Sequence, residues 1–325
     1  MSTGVRNALF RGILGAIDAV KGPRLSILIF HRVTPVIDPL FPLEVDARRF
    51  DALLSMVRAS FNVLTIGQAH ARINSGTLPP RALAISFDDG YADNAEIALP
   101  LLQKHDLKAT FFVATGFLDG GRMWNDTVIE AVRSSGCGSI DMQWLGLDRL
   151  QVQTPAQRRT AIDLILPRIK YRSLAGREDA IARLLEACGQ PTLPVNLMMR
   201  SEQVKALHAA GMEIGGHTVR HPILAEVSDA DAWTEITDGA QRLRELTGAA
   251  VDVFAYPNGR PQRDYDHRHV AMVREAGFRC AVSTSVGVVD ARAEAFEWPR
   301  FTPWDTSDLK WGARLLRCRY ATTRR

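Results

Sequence analysis

Four side chains in two short segments have the types and spacing of a hydrolytic metal site. In Ile85-Ser86-Phe87-Asp88-Asp89-Gly90-Tyr91, two adjacent carboxylates stand where an apolar run ends and a glycine permits a sharp turn. Neighbouring residues on an extended chain point to opposite sides, so Asp88 and Asp89 can serve different tasks. Two bare carboxylates this close repel, and one holds its proton unless a cation neutralises the pair. In Gly215-Gly216-His217-Thr218-Val219-Arg220-His221-Pro222, two histidines stand four apart. On a helical turn that spacing points both imidazoles the same way, within reach of one metal at about 2.0–2.1 Å. One Asp with two His leaves positions open for water and substrate, the catalytic rather than the structural pattern of zinc. Alone, the first segment reads as a solvated turn and the second as surface histidines; together they point to one site.

These segments resemble the polysaccharide deacetylases of carbohydrate esterase family four, the NodB-homology domain. Ser86 to Gly90 is similar to the family's first motif and His217 to Pro222 to its second. Phe254-Ala255-Tyr256-Pro257-Asn258-Gly259 is similar to the third, in the branch that makes and modifies exopolysaccharides. The resemblance covers roughly residues 24–302. It implies a distorted (β/α) barrel with the site at the strand C-termini. Asp89, His217 and His221 then hold a divalent metal, zinc being the first expectation, and Asp88 is the general base on the attacking water. It further implies an N-acetylated glycan as substrate and an oxyanion donor in the backbone N–H of Asn258, with Tyr256, Pro257 and Gly259 beside it.

The family's usual Leu-x-His motif, which supplies the general acid, has no counterpart after His269. Ile27-Leu28-Ile29-Phe30-His31-Arg32-Val33 resembles instead a strand-end motif of the poly-N-acetylglucosamine deacetylase branch, whose barrel strands are circularly permuted. That resemblance puts His31 in the acid's place, to protonate the leaving amine. The elements that orient the base in many members are missing as such. In Glu297-Trp298-Pro299-Arg300-Phe301, Arg300 is expected to pair with Asp88 and keep it ionised, and Trp298 to offer a stacking face to a sugar ring. Trp124 and Asp126 are further candidates for the cleft, whereas His267 and His269 are expected to be solvated.

The elements that must position these residues follow an alternating α/β rhythm after Pro23. Strands are expected at 26–30, 82–87, 109–113, 213–216, 252–255 and 279–283, and helices at 46–59, 93–104, 200–210, 228–247 and 266–276. Residues 118–199 break the rhythm with helical patterns near 124–135, 155–170 and 174–188 and no clear strand, so they read as a helical insertion over the substrate face. The expected organisation is an amphipathic N-terminal helix (1–23), the barrel (24–308) and a basic C-terminal tail (309–325).

Composition narrows the function classes. No apolar run approaches the roughly 18–20 residues of a transmembrane helix. The net charge of +4 arises in the tail, where six basic residues and no acid fall between Leu309 and Arg325, so the remainder is net −2 and a nucleic-acid groove is a poor reading. Cys137, Cys188, Cys280 and Cys318 are scattered, which suits a reducing compartment. The apolar stretch from Ala8 to Val20 is broken by Arg11 and Asp18 and lacks a small-residue cleavage site, so a cytoplasmic enzyme is expected, with the two amphipathic ends as a peripheral inner-membrane contact. The function expected is removal of N-acetyl groups from an amino sugar in a polysaccharide or lipid-linked glycan. The alternatives are a catalytically weak glycan-binding barrel, or the same site used on O-acetyl, formyl or cyclic amide substrates.

Overall fold

The computed structural model describes residues 3–303 and 308–320. Strands buried on both faces read as near-continuous apolar runs, and Leu25-Ser-Ile-Leu-Ile-Phe30 is one such run. In chain order the strands are β1 (Leu25–Phe30), β2 (Asn62–Val63), β3 (Ala82–Phe87), β4 (Thr110–Val113), β5 (Ser139–Asp141), β6 (Arg149–Gln151), β7 (Glu213–Gly216), β8 (Val253–Ala255), β9 (Cys280–Val286) and β10 (Trp298–Arg300). The helices are α1 (Thr3–Lys21), α2 (Ala47–Ser60), α3 (Ile66–Asn74), α4 (Leu99–Lys104), α5 (Trp124–Ser134), α6 (Pro155–Lys170), α7 (Leu174–Ala187), α8 (Ser201–Ala209), α9 (Asp229–Thr247), α10 (His267–Glu275) and α11 (Asp308–Tyr320).

Parallel strands run in the order β1-β3-β4-β7-β8-β9-β10, with β2 beside β3. The ends of this path meet: Phe301 donates to the Ile27 carbonyl at 2.7 Å and accepts from the Ile29 N–H at 3.1 Å. The result is a nearly closed (β/α) barrel, as the resemblance implied. Alternate residues divide between two apolar clusters. Ile27, Ala84, Phe112, Ala255, Val282 and Trp298 fill the interior, while Leu28, Ile85, Phe111, Ile214 and Phe254 face the surrounding helices. Ile66 and Ala69 of α3 join the interior cluster, and the Ile66 N–H donates to Thr110 Oγ1 at the start of β4. That helix plugs the mouth opposite the site.

The six expected strands are present to within a residue or so at most ends. Not foreseen were β2, α3 and β10; the last has three residues around a proline and leaves little pattern to read. The insertion between β4 and β7 also departs from expectation, since β5 and β6 pair as an antiparallel hairpin among its helices. It has a core of its own, in which Val128, Val132, Ile140, Ile162, Ile165, Ile169 and Leu184 are wholly or almost wholly buried.

The expected basic tail is, through Tyr320, a helix packed on the body; Arg324 and Arg325 lie outside the described residues. Trp311 and Leu315 are buried in it, and the Phe10 and Trp311 rings of α1 and α11 lie 6.4 Å apart. Arg319 is fully buried and donates to Asp18 at 2.7 and 3.0 Å, to Ser26 Oγ at 2.9 Å and to the Arg24 carbonyl at 2.9 Å. The sequence reading counted Arg319 among the basic residues of a tail, whereas it ties both terminal helices to the lower end of β1. No described helix is long and apolar enough to cross a membrane.

Candidate active site

Each part of the site is set by the end of a strand. On β7 the inward positions are Glu213, Gly215 and His217. A Cβ on Gly215 would meet the Phe112 ring at 2.4 Å, so glycine is required there for the strand to pass that ring and deliver His217 above it. The following turn is not the helical one the His-x-x-x-His spacing suggested. Thr218 and His221 both adopt left-handed φ, at 64° and 53°, and Thr218 Oγ1 accepts from the His221 N–H at 3.1 Å. Left-handed backbone is costly for a β-branched residue. Glu235 of α9 helps to hold it by accepting from the Val219 and Arg220 N–H groups at 2.9 and 2.7 Å. Nothing near Glu235 in sequence announced that role.

Asp89 takes φ 76° at the end of β3, and its Oδ1 lies 3.3 Å from His217 Nε2 and 3.4 Å from His221 Nε2. Three ligands held tetrahedrally at about 2.0–2.1 Å from one ion are separated by about 3.3–3.4 Å, so this spacing fits a divalent metal. The protonation fits as well. His217 Nδ1–H donates to the Ala255 carbonyl at 2.7 Å, which fixes the ring and, in its neutral form, leaves the Nε2 lone pair toward Asp89. Burial drives the His221 imidazole down to about 3, so it too offers a lone pair. Asp89 Oδ1 has no hydrogen-bond donor although it is buried, the condition of a ligand atom rather than of a satisfied carboxylate.

Asp88 faces the other task. Arg300 grips it through two parallel bonds of 2.7 Å, and Arg300 is itself fixed by the Ser283 carbonyl at 2.9 Å. Burial pushes the Asp88 carboxyl up, but the Arg300 charge and hydrogen bonds, with the charges of His217 and His31, together outweigh it and hold the group below the ordinary carboxylate range. Asn258, at φ 58°, lines the same cavity; its carbonyl accepts from Thr284 Oγ1 at 2.9 Å, while its N–H donates to no described residue. His31 stands exposed on the cavity rim just past β1. Its loop is braced from the π-helical turn Asn94–Ala98 that precedes α4, where Asn94 donates to the His31 carbonyl at 2.9 Å. The adjoining Asp93 accepts from Arg32 at 2.8 Å.

These groups sit at one end of a cavity of about 910 Å³. Its other walls are the loop from Asp38 to Val45 and the insertion, including Trp124 and Asp126. Other expected residues lie elsewhere. Trp298 is two residues before Arg300 on a parallel strand, hence one layer deeper in the barrel, where it is 1% exposed and closed off from any sugar. Tyr256 is buried and stacked on Tyr265 with ring centroids 3.7 Å apart, so it supports the loop rather than touching the cavity. Pro257 and Gly259 shape that loop behind Asn258. His267 is exposed as expected, but His269 is fully buried because its Nδ1 accepts from the Asp266 N–H in the cap of α10.

A parallel barrel bearing an Asp-His-His cluster at its strand ends defines a class of hydrolases. The chain belongs to the polysaccharide deacetylase family, whose sequence model matches residues 75–151 and 180–281. A Bacillus subtilis protein named as a polysaccharide deacetylase, YxkH, is 30% identical over 99 residues, which span 30% of this chain and 34% of that one. Two solved structures share the fold. The Streptococcus pyogenes deacetylase PplD, described in complex with acetate, has 19% identity and a TM-score of 0.61, over 91% of this chain and 97% of its own. IcaB from Ammonifex degensii has 18% identity and a TM-score of 0.58, over 92% and 98%.

Proposed function

We propose that the chain is a metal-dependent hydrolase that removes N-acetyl groups from an amino sugar of a polysaccharide or lipid-linked glycan. The observation that carries this reading is the pairing at one cavity end of two kinds of carboxylate. Asp89 converges with two bare imidazole nitrogens at metal-ligand spacing, and Asp88 is held ionised beside them. A divalent ion there, with zinc favoured by the nitrogen-rich ligand set, would polarise the acyl carbonyl and acidify water. Asp88 accepts the proton of the attacking water on the lone pairs that Arg300 leaves free. The Asn258 N–H is available to the oxygen on which charge develops. His31, on the cavity rim, protonates the leaving amine so that it departs neutral. The acetyl C–N bond breaks, the acyl carbon keeps the water oxygen, and acetate and a free amine result.

The test is metal content together with acetate release from N-acetylglucosamine oligomers, for wild type and Asp88→Asn. Near-stoichiometric metal in both proteins, with release reduced on the order of 10²–10⁴-fold in the variant, is the expected result. Absence of metal from both, even after zinc is added back, would overturn the reading.

A further inference from the structure

The cavity carries a second cluster that deacetylation leaves unused. Lys170 at the end of α6 and Arg260 and Arg263, in the loop between β8 and α10, all line it. Lys170 and Arg263 meet at Tyr171, Lys170 Nζ lying 5.5 Å from the ring centroid and Arg263 Cζ 4.8 Å from it. The cavity's other cations are spent, Arg32 on Asp93, Arg133 on Asp38 and Glu130, and Arg159 on Asp163. The side chains of Lys170, Arg260 and Arg263 form no ion pair or hydrogen bond with any described residue. Burial pushes the Lys170 ammonium below its ordinary range; buried Asp264 opposes this, and Arg260 and Arg263 add to it. One carboxylate stands against three cations, and its Oδ2 already accepts from the Arg260 N–H.

Two guanidinium forks and an ammonium exceed what one carboxylate needs and suit an anion with several oxygens and more than one charge. Arg260 lies two residues beyond Asn258, so the cationic cluster adjoins the wall at which the acyl group would react. Lys170 and Tyr171 fall within residues 152–179, which the family's sequence model leaves unmatched, so this half of the cluster is contributed by the chain's own insertion.

We infer that Lys170, Arg260 and Arg263 bind the phosphate or diphosphate of an amino sugar whose acyl group reaches Asp88, His217 and His221. The inference rests on the deacetylase reading for the sugar but not for the anion. The experiment compares zinc-loaded wild type with the Lys170→Ala/Arg263→Ala double variant on N-acetylglucosamine 1-phosphate and on the neutral methyl N-acetylglucosaminide. Wild type should favour the phosphorylated sugar by about tenfold or more in kcat/KM. The double variant should lose that preference through KM alone, Arg263→Lys should keep part of it, and the neutral sugar should be unaffected. Uridine diphosphate-linked and polyprenyl diphosphate-linked N-acetylglucosamine identify the source of the anion, since the better substrate names it and both must weaken in the double variant. No preference in wild type, or an equal loss on charged and neutral sugars, overturns the inference. If no sugar yields acetate, the deacetylase reading fails for these substrates, and calorimetric titration with inorganic pyrophosphate decides the anion site. Weaker binding to the double variant supports the site; equal binding to both proteins overturns it.

Discussion

Asp88 and Asp126 are buried carboxyls in the wall of one cavity, yet their surroundings push them in opposite directions. Arg300 holds Asp88 ionised against burial, whereas burial pushes Asp126 up to about 7, with only the Tyr91 hydroxyl bonded to its Oδ1 at 3.1 Å. Replacing Arg300 with methionine leaves Asp88 buried without its cation. Its pKa must rise, so the acid limb of the kcat/KM profile should move to higher pH, with activity lost at pH 7 and partly regained above it. Asp126 gives the opposite sign in stability. A folded pKa raised above the unfolded value means that the folded state binds the extra proton between about pH 4 and 7, so stability falls as pH rises through that window. Melting curves at pH 5 and pH 8.5 should show wild type losing more stability than Asp126→Asn, by up to about 3 kcal/mol. Much of this site is legible in sequence because Asp88, Asp89, His217 and His221 sit in two short motifs. Glu235, Lys170 and Arg263 were not, because each acts through a fold contact distant in sequence. Trp298 was misplaced because its type suits a sugar face, and only strand depth shows that Arg300 lies above it.

At the scale of elements, the insertion and the terminal helices departed furthest from pattern. Three residues per strand leave too short an alternation to separate the hairpin of β5 and β6 from loop. The helix at 308–320 looked like a tail because it is a basic stretch with no acid after Asp308, although Arg319 is fully buried on Asp18. Breaking a buried pair by removing one partner strands the other charge and costs about 3–5 kcal/mol. Arg319→Ala should lower the urea midpoint by a corresponding amount, while KM for any substrate stays unchanged because the pair lies at the opposite end of the barrel from the cavity. A shift in KM equal to the stability effect would place α11 nearer the site than its contacts do.

For the molecule as a whole, the alternation of apolar strands and helices made the barrel legible, and the strand-end position of the motifs made its working face legible. What held the ring shut was not, because β10 is three residues long and its partnership with β1 depends on Phe301. On the reading of a resident divalent ion, stability should also depend on it. An ion held at a thousand times its dissociation constant contributes about 4 kcal/mol. Treatment with a chelator should therefore lower the melting temperature and remove acetate release, and stoichiometric zinc should restore both.

The seam between the first strand of the ring and the last has a consequence for how the protein is made. Until the ribosome has added Val289, which bridges Leu25, and then Phe301, β1 can pair with β3 but its other edge has no partner, and Asp18 waits for an arginine about 300 residues downstream. The nascent chain must keep an apolar edge open for most of its synthesis, a state prone to pairing with neighbouring chains. Truncations that end before Phe301 should accordingly collect in inclusion bodies even though they retain every residue of the two motifs.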